Sequence, residues 1–255
     1  MTLLISLRSE ILKTRRTASF YLTIAAAAFG PLMTLLDIMM DEGIPAGERD
    51  LFFNKLFMDK FQMTGLLALP IFMILVCTLL PQIEYRNNTW KQVLTSPTTK
   101  AHVFLSKFVT IQLLVVAFLI FNLLFMFLCA VVVHIKNPSL NLLSQPLDVP
   151  GIVLSRINSY LVLLGLCAIQ YWMGLRFKNF IAPVGIGVAL YFAGTILIMQ
   201  MQHGNVVYLP YTMFLYNGLP EHAPYVSGMN WYSLGYALVF LAFGFLSFRR
   251  RRMFG

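Results

Sequence analysis

Charge is what this sequence has least of. Only 11% of its residues are Asp, Glu, Lys or Arg, against about a quarter in ordinary soluble domains. Hydrophobic residues make up 58% of the chain, and the mean hydropathy is +0.74. The apolar runs are too long and too free of charge for one soluble core, so composition alone points to a membrane protein. Cysteine is scarce as well: Cys77, Cys129 and Cys167 all fall inside apolar runs, which implies buried small hydrophobes and no disulfide framework. There is no GxxxxGK[ST] phosphate loop, so the chain is not expected to hydrolyse ATP by that route. HExxH, GxSxG and a mid-span aspartate pair are also missing, which argues against an intramembrane protease. Within the apolar runs the polar groups are mild, among them Gln112, Asn122, Asn158, Gln170 and Gln200. Ionisable groups inside a membrane mark ion and proton pathways, and their scarcity here argues against a proton- or sodium-driven carrier.

What is present is six runs long enough to cross a bilayer, which takes about 20 apolar residues. They cover 18–40, 61–83, 108–133, 157–175, 180–201 and 230–248. The fourth and fifth are joined only by Arg176, Phe177, Lys178 and Asn179, as in a tight helical hairpin. With both termini cytoplasmic, 14 of the 19 Lys and Arg residues face inward, and only Arg49, Lys55, Lys60, Lys136 and Arg156 face outward. Glu10 and Glu84 are then the inward acids. The net charge of +9 follows from this topology and from contact with anionic headgroups, so nucleic-acid binding is not needed to explain it. The expected location is the bacterial cytoplasmic membrane. Arg249–Arg252 reads as a stop-transfer anchor, and the amino terminus shows no signal-peptide cleavage pattern.

Three segments outside the spans carry structure of their own. Residues 3–16 place Leu3, Leu4, Leu7 and Ile11 at helical spacing, with Arg8, Ser9, Lys13 and Arg15 on other faces. That pattern suits a helix in the headgroup plane, either a start anchor or an elbow helix that couples to cytoplasmic movement. Residues 41–60 are acidic, then aromatic and basic, and predict a short amphipathic helix at the outer surface. Residues 202–229 interleave Pro210, Pro220 and Pro224 with Tyr208, Tyr211, Phe214, Tyr216 and Tyr225. They are too broken to span and too apolar for a solvated loop, so a re-entrant or interfacial segment is expected. His203, His222 and nearby methionines match no metal-ligand spacing. Gly185, Ala189 and Ala193 recur at four-residue steps on the fifth span, and Gly165 and Gly174 thin the fourth, which lets helices approach closely.

The most informative stretch is the polar island from Glu84 to Gln92, between the second and third spans. Thr89 or Asn88 is placed to cap a short helix running through Trp90, Lys91 and Leu94 and stopping before Pro97. Trp90 and Leu94 lie four apart, on one face. The residues alone allow two roles for Trp90, an anchor at headgroup depth or a side chain that fills a groove on a partner.

The pattern Glu84-x-x-Asn87-Asn88-Thr89-Trp90-Lys91-x-x-Leu94-x-x-Pro97, followed by Leu105-Ser106-Lys107, resembles the permease subunits of ABC-2-type exporters, particularly the lantibiotic-immunity and multidrug exporter group. The order of six spans, amphipathic start, short helix after span two and broken segment before span six extends the likeness over nearly the whole chain. The resemblance implies an all-α permease domain with no ATPase motif of its own, and a pore made by two copies or by two related permeases. ATP and Mg would be held by separate ATPase subunits docked beneath. The stretch 84–104 would be the coupling loop, with Glu84, Asn87, Asn88, Thr89, Trp90, Lys91 and Leu94 contacting the ATPase. A peptide, drug or lipid-like molecule would be exported. The rival reading is a non-transporting membrane anchor or sensor subunit.

Overall fold

The computed structural model describes residues 3–40, 52–87, 89–95, 98–138, 141–201, 208–217 and 226–250. These residues are all-α, with no strand among them. The helices are α1 (Leu3–Thr14), α2 (Ala18–Met40), α3 (Phe52–Arg86), α4 (Trp90–Thr95), α5 (Lys100–Lys136), α6 (Val149–Arg176), α7 (Ile181–Met201), α8 (Met213–Asn217) and α9 (Val226–Arg250). Six of them, α2, α3, α5, α6, α7 and α9, are long and apolar enough to cross a membrane, and they match the six predicted runs in order.

Several helices outrun their apolar stretches. At 37 residues, α5 is about 55 Å long, well beyond a hydrocarbon core of about 30 Å. It begins at Lys100 because the Thr99 side chain accepts a hydrogen bond from the His102 N–H at 3.2 Å. Asp148 caps α6 in the same way, accepting from the Gly151 N–H at 3.1 Å. The aromatic stretch after position 51 is not a separate outer helix. It is the first two turns of α3, where Phe52, Phe53, Leu56 and Phe57 bury against Met126, Ala130, Val133 and Ile152. Residues 41–51 lie outside the described residues.

The surface is inverted relative to a soluble bundle. On α2 the buried face is Ser19, Thr23, Ala27, Gly30, Pro31 and Thr34, while Tyr21, Leu32, Leu36 and Met40 are exposed. The hydroxyls of Thr23 and Thr34 bond back to the carbonyls of Ser19 (2.8 Å) and Gly30 (3.1 Å), which satisfies them inside the contact. In lipid there is no water to drive apolar faces inward, so small and self-satisfied polar side chains make the helix contacts and large apolar ones meet the tails. The centre of the bundle is α3, which packs on α2, α5, α6 and α7; α9 lies along α6. Gly165 admits α9 to α6, and the Ser233 hydroxyl completes the contact by donating to Leu161 O (2.7 Å) and accepting from Gly165 N–H (2.9 Å). The small-residue step of α7 behaves otherwise: Gly185 has open space where a side chain would stand.

Polar groups at mid-bundle are tied to each other. Gln170 donates to Pro183 O (2.6 Å) and Thr78 Oγ1 (3.2 Å), and accepts from the Tyr211 hydroxyl (3.2 Å). That last bond anchors the described part of the broken segment, in which Tyr211, Thr212, Met213, Phe214 and Tyr216 are all buried. Its residues 202–207 and 218–225 lie outside the described residues. The three cysteines are free and buried, with the sulfurs of Cys77 and Cys167 3.2 Å apart. Arg156, expected in an outer loop, is instead buried on α6. Its guanidinium lies 3.1 Å from the centroid of the Phe61 ring and donates to Phe57 O at 2.9 Å.

Gly174 gives the sharpest test of this packing. A Cβ there would stand 2.8 Å from the Cys77 carbonyl and 3.1 Å from Thr78 Cα, both backbone atoms that cannot swing aside. Gly174→Ala should therefore cost about 1–3 kcal/mol through overpacking. Gly185→Ala, with nothing within 4 Å, should be neutral. Thermal unfolding of both variants in detergent checks the contrast, and equal melting temperatures would contradict the α3–α6 contact.

Candidate functional site

The polar island folds at the bundle end where α1, the end of α3, the start of α5 and the end of α9 meet. Asn87 continues α3, its N–H bonding to Ile83 O (3.1 Å), and its side chain is exposed. The chain then reverses: Thr89 N–H returns to Glu84 O (3.0 Å), and Thr89 O accepts from Val93 N–H (2.9 Å) as the first bond of α4. Thr89 is half-buried immediately before α4. Asn88 lies outside the described residues, and so do the side chains of Lys91 and Leu94. The backbone of α4 thus follows the expected path.

Trp90 points inward. It is 4% exposed, with its ring 5.4 Å from that of Tyr85 and 5.7 Å from that of Phe248. Tyr85 in turn donates its hydroxyl to Leu175 O at 2.7 Å, and Phe248 packs on Phe104 of α5. One indole therefore ties α4 to α3 and α9 directly, and to α5 and α6 at one remove.

Beside it lies a ring of four charges that sequence reasoning did not assemble. Lys13 of α1 bridges Glu10 Oε1 (3.0 Å) and Glu84 Oε1 (3.1 Å). Lys107 of α5 bridges Glu10 Oε2 (2.7 Å) and Glu84 Oε1 (2.9 Å). The signs alternate and sum to zero. Lys107 and Glu84 are each 1% exposed at the side chain. The Lys107 ammonium also lies 5.7 Å from the Trp90 ring centroid, within cation–π range. Glu10 reaches the ring because α1 turns its polar stripe, Ser6, Glu10 and Thr14, against α5, leaving Leu4, Ile5 and Leu12 exposed.

The pairing is visible in the titration of the α1 groups. Burial works to raise the Glu10 carboxyl, but the ammonium groups of Lys107 and Lys13 outweigh it and hold Glu10 below its ordinary value of 4.5. Burial works to lower Lys13, but Glu10 and Glu84 outweigh it and lift Lys13 above its ordinary 10.5. Glu84 Oε2 has no hydrogen-bond partner among the described residues although it is buried. Three of the ring residues, Glu10, Lys13 and Glu84, wall a cavity of about 600 Å³ between α1, α3, α4 and α5, lined also by Ser6, Asn87 and Thr89.

The arrangement joins the short helix to α1 and to the ends of α3, α5 and α9. A family model described as ABC-2 family transporter protein matches residues 6–194, about three quarters of the chain. The chain belongs to the ABC-2 transporter family. This ABC-2 protein is thus a multi-pass membrane permease of an ABC-type transporter, a component that works with an ABC ATPase. No curated protein and no solved structure matches it.

Of the residues predicted to form the site, Glu84 and Trp90 come together, with Thr89 and Asn87 at the rim. Glu10, Lys13 and Lys107 were not among them. The available signal was the scarcity of acid at this end of the chain: two carboxylates among many bases must be neutralised wherever they are buried.

Two outcomes follow for the ABC-2 permease. Removing one buried partner leaves the rest uncompensated, so Lys107→Met should destabilise by about 3–5 kcal/mol. The Glu84→Gln/Lys107→Met double variant should lose less than the sum of the single changes. Second, the folded-state pKa of Glu10 is depressed, so its stabilisation is fully present above about pH 4.5 and lost as pH falls below that. The raised Lys13 contributes below pH 10.5 and is lost as pH climbs past it. Melting temperature against pH should show an acid limb that flattens in Glu10→Gln; identical limbs would show that Glu10 is not coupled to folding.

Proposed function

We infer that this chain is the transmembrane subunit of an ATP-driven exporter, with both termini and α4 on the cytoplasmic side. ATP and Mg sit on the partner ATPase, which docks against α4 and its flanks. A second permease copy, or a paralogue, completes the pore. The observation that carries this reading is that α4 has no freedom of its own. Trp90 and the Glu84 end of α3 are fixed to four long or amphipathic helices, so a push on α4 is delivered to α1, α3, α5 and α9 together. A helix meant only to anchor at headgroup depth needs no buried charge ring behind it. Lys91 is the side chain assigned to the ATPase surface, and Trp90, with Leu94 one turn on along the same face, transmits the displacement. The exported molecule is of the peptide, drug or lipid-like class.

Orientation is tested with single cysteines. Gln92→Cys and Lys178→Cys should resist an impermeant maleimide in intact cells and react in inverted vesicles, and Lys136→Cys should do the opposite. Coupling is tested by co-purification and by ATPase activity of the complex against that of the free ATPase. Trp90→Ala should keep the partner bound but reduce permease-dependent ATPase activity about tenfold or more, and Trp90→Phe should restore most of it. Lys91→Ala should weaken co-purification itself. An ATPase that binds and responds normally to Trp90→Ala would refute the transmission role, and failure of any ATPase to co-purify would favour an anchor or sensor subunit.

A further inference from the structure

A second cavity, of about 720 Å³, opens on the other side of α3 from the charge ring. Three elements bring one basic side chain each to its wall: Arg16 from the α1–α2 junction, Arg86 from the end of α3, and Lys178 from the α6–α7 turn. No Asp or Glu among the described residues lines it. All three bases are exposed, and none makes an ion pair with a described residue. Their convergence is held by neutral bonds to the turn. Gln82 donates to Phe177 O (2.9 Å) and Tyr85 to Leu175 O (2.7 Å), which fixes the backbone that carries Lys178 beside α3.

The rest of the wall is mixed: Thr17, Ser19, Gln82, Asn87 and Asn179 are polar, and one side is apolar. Leu79, Ile83 and Phe180 line the side that runs from the bases toward the hydrophobic stretches of α3 and α7. Three bases above an apolar wall, at the depth where a spanning helix leaves the hydrocarbon, match a molecule with a phosphate head and an acyl tail. A soluble anion would gain nothing from the apolar side. An acidic protein surface would gain nothing from a recess leading into the bilayer. We propose that this groove binds the phosphate headgroup of one anionic phospholipid, with Arg16, Arg86 and Lys178 on the phosphate and the acyl chain along Leu79, Ile83 and Phe180. Only the leaflet, the cytoplasmic one, rests on the orientation inferred above; the site does not. Held there, the lipid would bridge the α1–α2 junction and the α6–α7 turn, two segments otherwise joined through α3.

The test uses the purified full chain without any ATPase, so its result is independent of the transport reading. Native mass spectrometry would follow retention of phosphatidylglycerol, phosphatidylcholine and inorganic phosphate. The expected result is one phosphatidylglycerol retained per chain in preference to phosphatidylcholine, and not displaced by millimolar phosphate. A base near an anionic lipid contributes about fivefold in affinity, so the Arg16→Ala/Arg86→Ala/Lys178→Ala variant should bind on the order of 100-fold more weakly. A variant with the same charge loss elsewhere, Arg8→Ala/Arg249→Ala/Arg250→Ala, should bind normally. Equal retention by both triple variants, or equal binding of phosphatidylcholine, would overturn the site. Displacement by phosphate would assign the bases to a soluble anion and overturn the lipid.

Discussion

The structure at the α4 end depends on one constraint: two carboxylates and the ammonium group of Lys107 are buried together, and the ammonium group of Lys13 closes them off at the rim. Burying any one of these charges alone costs far more than a fold can return. Glu84 is therefore acceptable at 1% exposure only because Lys13 and Lys107 both reach its Oε1, and Lys107 is acceptable only because Glu10 and Glu84 flank it. Each charge forces its neighbours into place. Lys107 lies two turns inside α5, so the carboxylates must come to it. That brings α1 against α5 by its polar stripe and holds the end of α3 beside both.

The consequence for α4 follows from its length. Six residues form barely more than one turn, too few to be stable by themselves. The helix exists because Trp90 is buried on Tyr85 and Phe248 and lies beside the Lys107 ammonium. The ring and the indole are thus one assembly. The charges set the spacing of α1, α3 and α5, and the indole fills the space they leave and fixes α4 to it. A short helix made this way keeps its place through its neighbours, not through its own hydrogen bonds.

Much of this was legible in the sequence. The six spans could be read because a run of about 20 apolar residues has few other uses, and the short helix between Thr89 and Pro97 because its cap and stop are local signals. The place of Glu84 at the inner rim also allows it a base from the amino-terminal helix or from the tail, and the structure supplies Lys13. What could not be read was direction. Hydrophobic spacing marks the apolar face of α1 but not what it faces; in a bilayer that face turns outward and the polar stripe becomes the contact. A single turn of helix has too little periodicity to say whether Trp90 faces a partner or its own chain. Lys107 looked like a flanking base because the apolar run starts at 108, whereas the Thr99 cap starts the helix two turns earlier and carries Lys107 into the packed region.

A buried ion ring is weak evidence for stability, since well-packed hydrophobic residues of similar volume would serve as well or better. Its presence in a chain that is otherwise so poor in charge therefore points to what charges do and hydrocarbons do not. Apolar contacts among α1, α3 and α5 would be tolerant of sliding and rotation. Charges fix both, because a displaced helix strands at least two opposite groups at once. Yet the ring is not rigid in every direction. Each member has two partners, and Glu84 Oε2 has none among the described residues, so a small rotation of one helix can exchange a bond without emptying the site. A small shift of one helix therefore changes partners within the ring before it breaks the contact of α1, α3 and α5.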